Sequence, residues 1–194
     1  VSDGLSGSAT QLVTLTVTGT NDTPLIDTAT SDLTGAVTEN DAPVASGTLV
    51  SADADTGAGA TWSGTAAGTY GSFEIDTDGG WTYTLGAAAE ALNPGQVVTE
   101  SFTATVTDDS DASAEITVQI TVTGTNDTPV VTSDAAAAAG AVREDSAPEA
   151  SGTLTASDAD ASAVLNWTGS AEATYGALPT NATTGAWTYP PGPP

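Results

Sequence analysis

Gly19-Thr20-Asn21-Asp22-Thr23-Pro24 returns letter for letter as Gly124-Thr125-Asn126-Asp127-Thr128-Pro129, and this recurrence decides the fold. From 19 to 124 the offset is 105. The same offset carries Val1-Ser2-Asp3 onto Val106-Thr107-Asp108, Ser46-Gly47-Thr48-Leu49 onto Ser151-Gly152-Thr153-Leu154, Trp62 onto Trp167, and Tyr70-Gly71 onto Tyr175-Gly176. Trp81-Thr82-Tyr83 answers Trp187-Thr188-Tyr189 at an offset of 106, so one residue is inserted between the two pairs. The chain therefore reads as a stretch of a tandem array. We expect the closing strand or strands of one repeat over residues 1–20, a complete repeat over 21–126 and an incomplete one over 127–194.

Composition narrows what such an array can do. Twenty-five acidic residues face one basic residue, Arg143, and no histidine. A chain so charged repels nucleic acid and anionic membranes and calls for counter-cations. No cysteine is present, so neither disulfides nor thiolate chemistry can hold or activate anything. Without His, Cys or Lys there is no Ser-His-Asp or Cys-His system, no Schiff base and no His-ligated zinc. An enzyme is not expected. No run approaches 18 apolar residues, so direct membrane insertion is not expected either. A small domain with no disulfide needs another staple, and bound metal suits the charge.

Strand patterns are dense. Ile116, Val118, Ile120 and Val122 alternate with Thr117, Gln119, Thr121 and Thr123, the period of a strand with one buried face. The matching segment near the start predicts Val13, Leu15 and Val17 inward. Phe102, Ala104 and Val106 give the preceding strand. Trp81, Tyr83 and Leu85 alternate after Asp76-Thr77-Asp78-Gly79-Gly80, which carries the Asp-Gly chemistry of a hairpin turn. Further strands are expected near 33–38, 47–52, 60–65 and 69–75. About seven strands in about 105 residues argue for an all-β sandwich of immunoglobulin type. Ala135 to Ala139 is too short for an independent helix and reads as a connector. Trp62, Phe73, Trp81, Tyr83 and Phe102 read as core rather than as a sugar-stacking platform.

The two copies sort the acids. Asp27, Asp32, Glu74, Asp76, Asp78, Asp109, Asp111 and Glu115 each face a non-acidic residue at the same phase in the other copy. Five acidic phases persist: Asp3/Asp108, Asp22/Asp127, Glu39/Glu144, Asp53/Asp158 and Asp55/Asp160, with Asn21/Asn126 beside the second. Asp53-Ala54-Asp55 and Asp158-Ala159-Asp160 can aim two carboxylates at one cation. Such all-oxygen donors suit calcium, not zinc or copper. The competing reading is that copies of one segment simply stay similar.

With its Asn-Asp linker, Asp-x-Asp pair, early Glu and late Asp before the last strand, the layout resembles the cadherin ectodomain pattern. The whole unit, Thr-Val-Thr-Gly-Thr-Asn-Asp-x-Pro with Ala-Ser-Gly-Thr-Leu and Asp-Ala-Asp, resembles the VCBS repeats of giant bacterial RTX adhesins. The resemblance implies extracellular, cadherin-like Greek-key sandwiches strung end to end on a secreted or cell-surface protein, with Ca2+ at the junctions. It implies a first junction of Asn21, Asp22, Asp53, Asp55 and Asp108. A second would use Asn126, Asp127, Asp158 and Asp160 with Glu39 reaching in from the complete repeat, while Asp3 and Glu144 belong to junctions on either side. The family's mid-domain acidic triplet has no counterpart in the sequence, so thinner coordination is expected. The nonapeptide calcium repeat of RTX proteins and the EF-hand are absent.

Three functions follow as expectations. Extender repeats stiffened by calcium would project a binding tip from the cell surface, with neighbouring repeats as partners. Alternatively, copies of the chain would assemble by strand exchange into an extracellular filament, residues 1–18 completing the last repeat of a neighbour. A carbohydrate-binding module is the third.

Overall fold

Val118, Ile120 and Val122 do lie on the inner face of a long central strand, and the complete repeat is assembled around it. The structure, a computed structural model, describes residues 1–143, 146, 149–173 and 176–190. Its first ten strands are β1 (Leu25–Ile26), β2 (Thr34–Thr38), β3 (Val44–Thr48), β4 (Ser51–Ala52), β5 (Ala60–Ser63), β6 (Ala66–Ala67), β7 (Gly71–Ile75), β8 (Gly80–Leu85), β9 (Val97–Asp108) and β10 (Ser113–Thr123). One layer has the order β2-β10-β9-β5, with β10 parallel to β2 and antiparallel to β9. The facing layer is β3-β8-β7-β6, and β1 pairs with β4 just beyond β3. The chain crosses between layers after β2, β4, β5 and β8, as a Greek-key sandwich does. The expected strand near 47–52 is broken at Leu49, whose N–H turns to the Gly79 carbonyl at 2.8 Å.

The core is aromatic. Phe73 from one layer stacks on Phe102 from the other, with centroids 5.0 Å apart and planes 8° from parallel. Trp81 and Tyr83 flank this pair, at 5.8 Å from Phe73 and 5.7 Å from Phe102. All four, with Trp62, are buried, so these aromatics form no sugar-stacking platform. Glu100 on β9 accepts hydrogen bonds from the Tyr83 hydroxyl and from the N–H groups of Thr69 (2.5 Å) and Tyr70 (3.2 Å). Burial, followed by the Glu100 carboxylate, pushes the Tyr83 phenol far above its ordinary value.

The repeated glycines are explained by the repeated aromatics. A Cβ on Gly47 would sit 2.6 Å from Cζ2 of Trp81, and one on Gly152 would sit 2.7 Å from the same atom of Trp187. Each indole N–H donates to a carbonyl at 2.9 Å, Asp32 for Trp81 and Ala137 for Trp187. That carbonyl belongs to the backbone, which is why Asp32 need not be an acid in the second copy. Gly71 and Gly176 make the corresponding room for Tyr83 and Tyr189. The 76–80 turn also behaves as the sequence suggests. Asp76 Oδ1 accepts from the N–H groups of Asp78 (3.0 Å) and Gly80 (2.8 Å), and Gly79 takes φ +92°. In the second copy Asn181 Oδ1 does the same work for Thr183 and Thr184, so a carboxylate is unnecessary.

A further expectation is corrected. Val13, Leu15 and Val17 do not point inward; they are 84, 83 and 84% exposed. Their counterparts on β10 are buried because β2 and β9 flank that strand, and residues 10–20 have no such neighbours among the described residues. What does form there is the hairpin tip. Ser2 bridges Ser8 as Thr107 pairs with Ser113, and Asp3 Oδ1 accepts from the N–H groups of Leu5 and Gly7 at 2.8 and 2.9 Å. A 3-10 helix also forms over Ala87–Ala91, which carries no periodicity to announce it. Ala135 to Ala138 form turns, consistent with a connector.

The following repeat contributes β11 (Val130–Val131), β12 (Ala150–Thr153), β13 (Ala156–Ser157), β14 (Ser170–Ala173), β15 (Gly176–Pro179) and β16 (Ala186–Tyr189). β11 pairs with β13 and β12 with β16, repeating the β1–β4 and β3–β8 pairings. Glu144, Tyr175 and the Pro-Gly-Pro-Pro tail at 191–194 lie outside the described residues.

Candidate metal centres at the repeat junctions

The polar groups of the linker that opens the complete repeat turn onto two loops. Asp22 N–H donates to Asp55 Oδ2 at 2.8 Å, and Asp55 N–H donates to Asp53 Oδ1 at 2.8 Å. The Asn21 side-chain amide donates to Asp108 Oδ2 at 2.8 Å. Asp108 sits at the β9–β10 tip, where its Oδ1 accepts from the N–H groups of Ser110 (2.8 Å) and Ala112 (2.9 Å). The Asn21 amide, with those two N–H groups behind it, holds the Asp108 carboxyl below its ordinary range despite its burial. Asp53 Oδ2 is buried and has no hydrogen-bond partner. The five residues expected at this junction are thus neighbours, linked by a chain of hydrogen bonds.

The second junction repeats the arrangement with more acids. Asp127 N–H donates to Asp160 Oδ2 at 3.0 Å, and Asp160 N–H donates to Asp158 Oδ1 at 3.0 Å. Glu39, directly after β2, is 1% exposed. Its Oε2 accepts the Thr125 N–H at 2.8 Å and its carbonyl accepts the Thr125 hydroxyl at 3.2 Å. Asn40 takes φ 59°, which brings its amide to Asp127 Oδ1 at 3.1 Å. The Asn126 amide turns instead to the Asp127 carbonyl at 2.6 Å.

Glu90, on the 3-10 helix, completes the cluster. Oxygens of Glu39, Glu90 and Asp127 all lie within 4.8 Å of one another. This residue was not among the acids read from the sequence. Burial first, then the negative charges of Asp127, Glu90 and Asp160, push the Glu39 carboxyl up, against the opposing Thr125 N–H. Glu39 Oε1, Asp127 Oδ2 and Asp160 Oδ1 are all buried without a partner.

Buried anionic oxygens left unpaired are costly, and nothing basic answers them: the chain's one cationic side chain is Arg143. Calcium takes six to eight oxygens at about 2.3–2.6 Å, so opposed ligands lie about 5 Å apart. The 4.8 Å spread, the carboxylate donors and the absence of nitrogen or sulfur ligands fit a hard divalent cation.

The bacterial cadherin-like domain family matches residues 21–124, the span that forms the complete sandwich with its opening linker. No curated protein sequence matches the chain. Among solved structures, mouse cadherin-23 extracellular domains 22–24 are similar at 16% identity and a TM-score of 0.45, covering 89% of this chain and 55% of that one. Protocadherin gamma B2 extracellular domains 1–5 are similar at 17% identity and a TM-score of 0.49, covering 91% of this chain and 34% of that one. The chain therefore spans about half or less of these neighbours.

Proposed function

The chain belongs to the bacterial cadherin-like domain family, and we propose that it is a run of extender repeats from a secreted bacterial adhesin, VCBS-like and of the RTX type. Its family is one of extracellular adhesion-type modules rather than enzymes. Within it we assign one complete repeat to 21–126, the closing part of another to 1–20 and an incomplete one to 127–194. The junctions are where function resides. Asn21, Asp22, Asp53, Asp55 and Asp108 would hold calcium at the first. Asn126, Asp127, Asp158, Asp160, Glu39 and Glu90 would hold it at the second.

One observation carries this reading: the second cluster draws its buried, unpartnered oxygens from one repeat, the linker and the next repeat together. Like charges so placed force the two repeats apart and leave the linker to bend. A divalent cation supplies the opposite charge and common ligation that turn this repulsion into cohesion. The rest is the work of the chain. The Thr125 N–H fixes one Glu39 oxygen and leaves the other facing the linker, while Asn40 orients Asp127. A string of such joints is a rod that holds a binding tip away from the cell.

Calorimetric titration of the 194-residue chain with calcium is the test, paired with small-angle scattering. Saturable heat and a longer maximum dimension are expected, both blunted in Asp127→Asn/Asp160→Asn. Flat heats with unchanged scattering would overturn the reading. The strand-exchange alternative has the exposure of Val13, Leu15 and Val17 in its favour; a monomer at all concentrations in sedimentation velocity removes it.

A further inference from the structure

Close to the acid cluster the two repeats also touch through neutral groups. Asn93 Oδ1 accepts two hydrogen bonds from the next repeat, from Ser162 N–H at 2.8 Å and from the Ser162 hydroxyl at 2.5 Å. Beside them the Ala161 N–H reaches the carbonyl of Ala91 at 3.3 Å. We propose that this contact is an ion-independent latch: Asn93 and Ser162 hold successive repeats in register when no cation is bound.

The acceptor side of the latch is built in advance. Gln96 Oε1 accepts both the Asn93 N–H (3.1 Å) and the Asn93 side-chain amide (3.0 Å), so the amide is turned with Oδ1 outward. Gln96 N–H returns to the Asn93 carbonyl at 2.8 Å, closing the turn. The loop is tied to the linker by Gly95 N–H to the Gly124 carbonyl (3.0 Å) and Gly124 N–H to the Gln96 carbonyl (2.9 Å). A Cβ on Gly124 would lie 2.6 Å from the Asn93 carbonyl oxygen and 2.7 Å from Leu92 Cβ, so the first glycine of the repeated linker motif permits this approach. Leu92, 2% exposed, anchors the loop in the core. An acceptor held this way loses little freedom on docking.

Position gives the latch its consequence. Asn93 is three residues after Glu90, and Ser162 is two residues after Asp160. The neutral bonds therefore join the same two loops that the carboxylates drive apart. Without a cation the Asn93–Ser162 contact keeps the two loops together at one angle of bend instead of letting the repeats swivel freely. A corresponding latch in the first copy would have one donor fewer. At the phase of Ser162 (162 against 57) the first copy has Gly57, which keeps an N–H but has no hydroxyl.

The test is electron–electron spin-label distance measurement on the full chain in a chelator. The chain has no native cysteine, so Thr82→Cys, at an exposed position of β8, and Ser151→Cys, at an exposed position of β12, supply unique sites. In chelator the parent should give one narrow distance peak. Asn93→Ala should lose that peak to a broad distribution, and Ser162→Gly, which installs the first copy's residue, should fall between. Circular dichroism confirms that each variant is folded. A parent as broad as Asn93→Ala, or an Asn93→Ala as narrow as the parent, would overturn the latch. Calcium is then added to Asn93→Ala: failure to narrow its distribution would count against the calcium reading alone and leave the latch standing.

Discussion

Glu39→Gln should change sign with calcium. In chelator the wild-type Glu39 carboxylate is buried with Asp127, Glu90 and Asp160 for neighbours, and one of its oxygens has no partner. Glutamine keeps an oxygen for the Thr125 N–H and replaces the unpartnered oxygen with an amide that donates to the surrounding carboxylates. Two unit charges at most 4.8 Å apart repel by at least about 0.9 kcal/mol at the dielectric of water and at least about 3.5 kcal/mol at an effective value of about 20. Glu90 is exposed, which places its pair with Glu39 near the lower figure. Removing the Glu39 charge then stabilises the apo repeat by on the order of 1–2 kcal/mol. At about 4–8 °C per kcal/mol for a domain of this size, the apo melting temperature should rise by roughly 4–16 °C.

The pH dependence has a defined direction. Glu39 is raised from 4.5 in the folded state, so its contribution to stability is fully present below 4.5 and is lost as pH rises through the folded value. In chelator, thermal melting of the wild type should decline over that window, and Glu39→Gln should lack this part of the decline. In saturating calcium the order reverses, because an amide oxygen replaces an anionic ligand and less of the calcium-induced gain survives. Paired calorimetric melts in chelator and in calcium, at several pH values, read both effects. A Glu39→Gln protein that melts lower than wild type in chelator would refute the electrostatic reasoning outright, since it would mean the buried carboxylate is stabilising without its ion.

Two further substitutions check the local geometry. Gly47→Ala puts a Cβ 2.6 Å from the Trp81 ring and should cost about 1–3 kcal/mol by overpacking in urea unfolding. Gly19→Ala, with nothing within 4 Å of its Cβ, should be close to neutral; equal losses in both would sink the steric account of the repeated glycine. Asn21→Ala removes the leading cause of the lowered Asp108 carboxyl. Carboxyl-carbon NMR should show that group titrating higher than in the wild type, since burial opposes the remaining Ser110 and Ala112 N–H groups. An unchanged midpoint would mean that Asn21 does not reach Asp108 in solution.

What could be read from the residues follows from what repetition preserves. The recurrence of Trp81/Trp187 and Gly47/Gly152 is visible in the sequence, but its cause, the room each glycine leaves for an indole, appears only in the fold. The paired acids were legible by the same recurrence. Asp76 and Asp78 were set aside because the second copy lacks them, and Asn181 shows that the turn needs an oxygen acceptor rather than a charge. The same filter could not see Glu90. Its counterpart at an offset of 105 or 106 would fall past residue 194, so there was no second copy to compare. It also rides on a 3-10 helix built from Ala87-Ala88-Ala89, a string with no amphipathic period. Val13, Leu15 and Val17 failed for a different reason: alternation shows which face of a strand can be buried, but flanking strands decide whether it is.

The junction therefore separates two kinds of fastening that the repeat treats differently. Carboxylates recur at matching phases in both copies, and in the proposed function they hold the joint through a bound cation. Ser162 has no hydroxyl counterpart in the first copy, and its bonds to Asn93 need no cation. If every joint relied on carboxylates alone, all joints would soften together when divalent ions are withdrawn. A neutral contact that varies from joint to joint makes the loss uneven, so the chain should bend first where the hydroxyl is missing. That places the flexible point at the Asp53-Ala54-Asp55-Thr56-Gly57 loop rather than at Asp158-Ala159-Asp160-Ala161-Ser162.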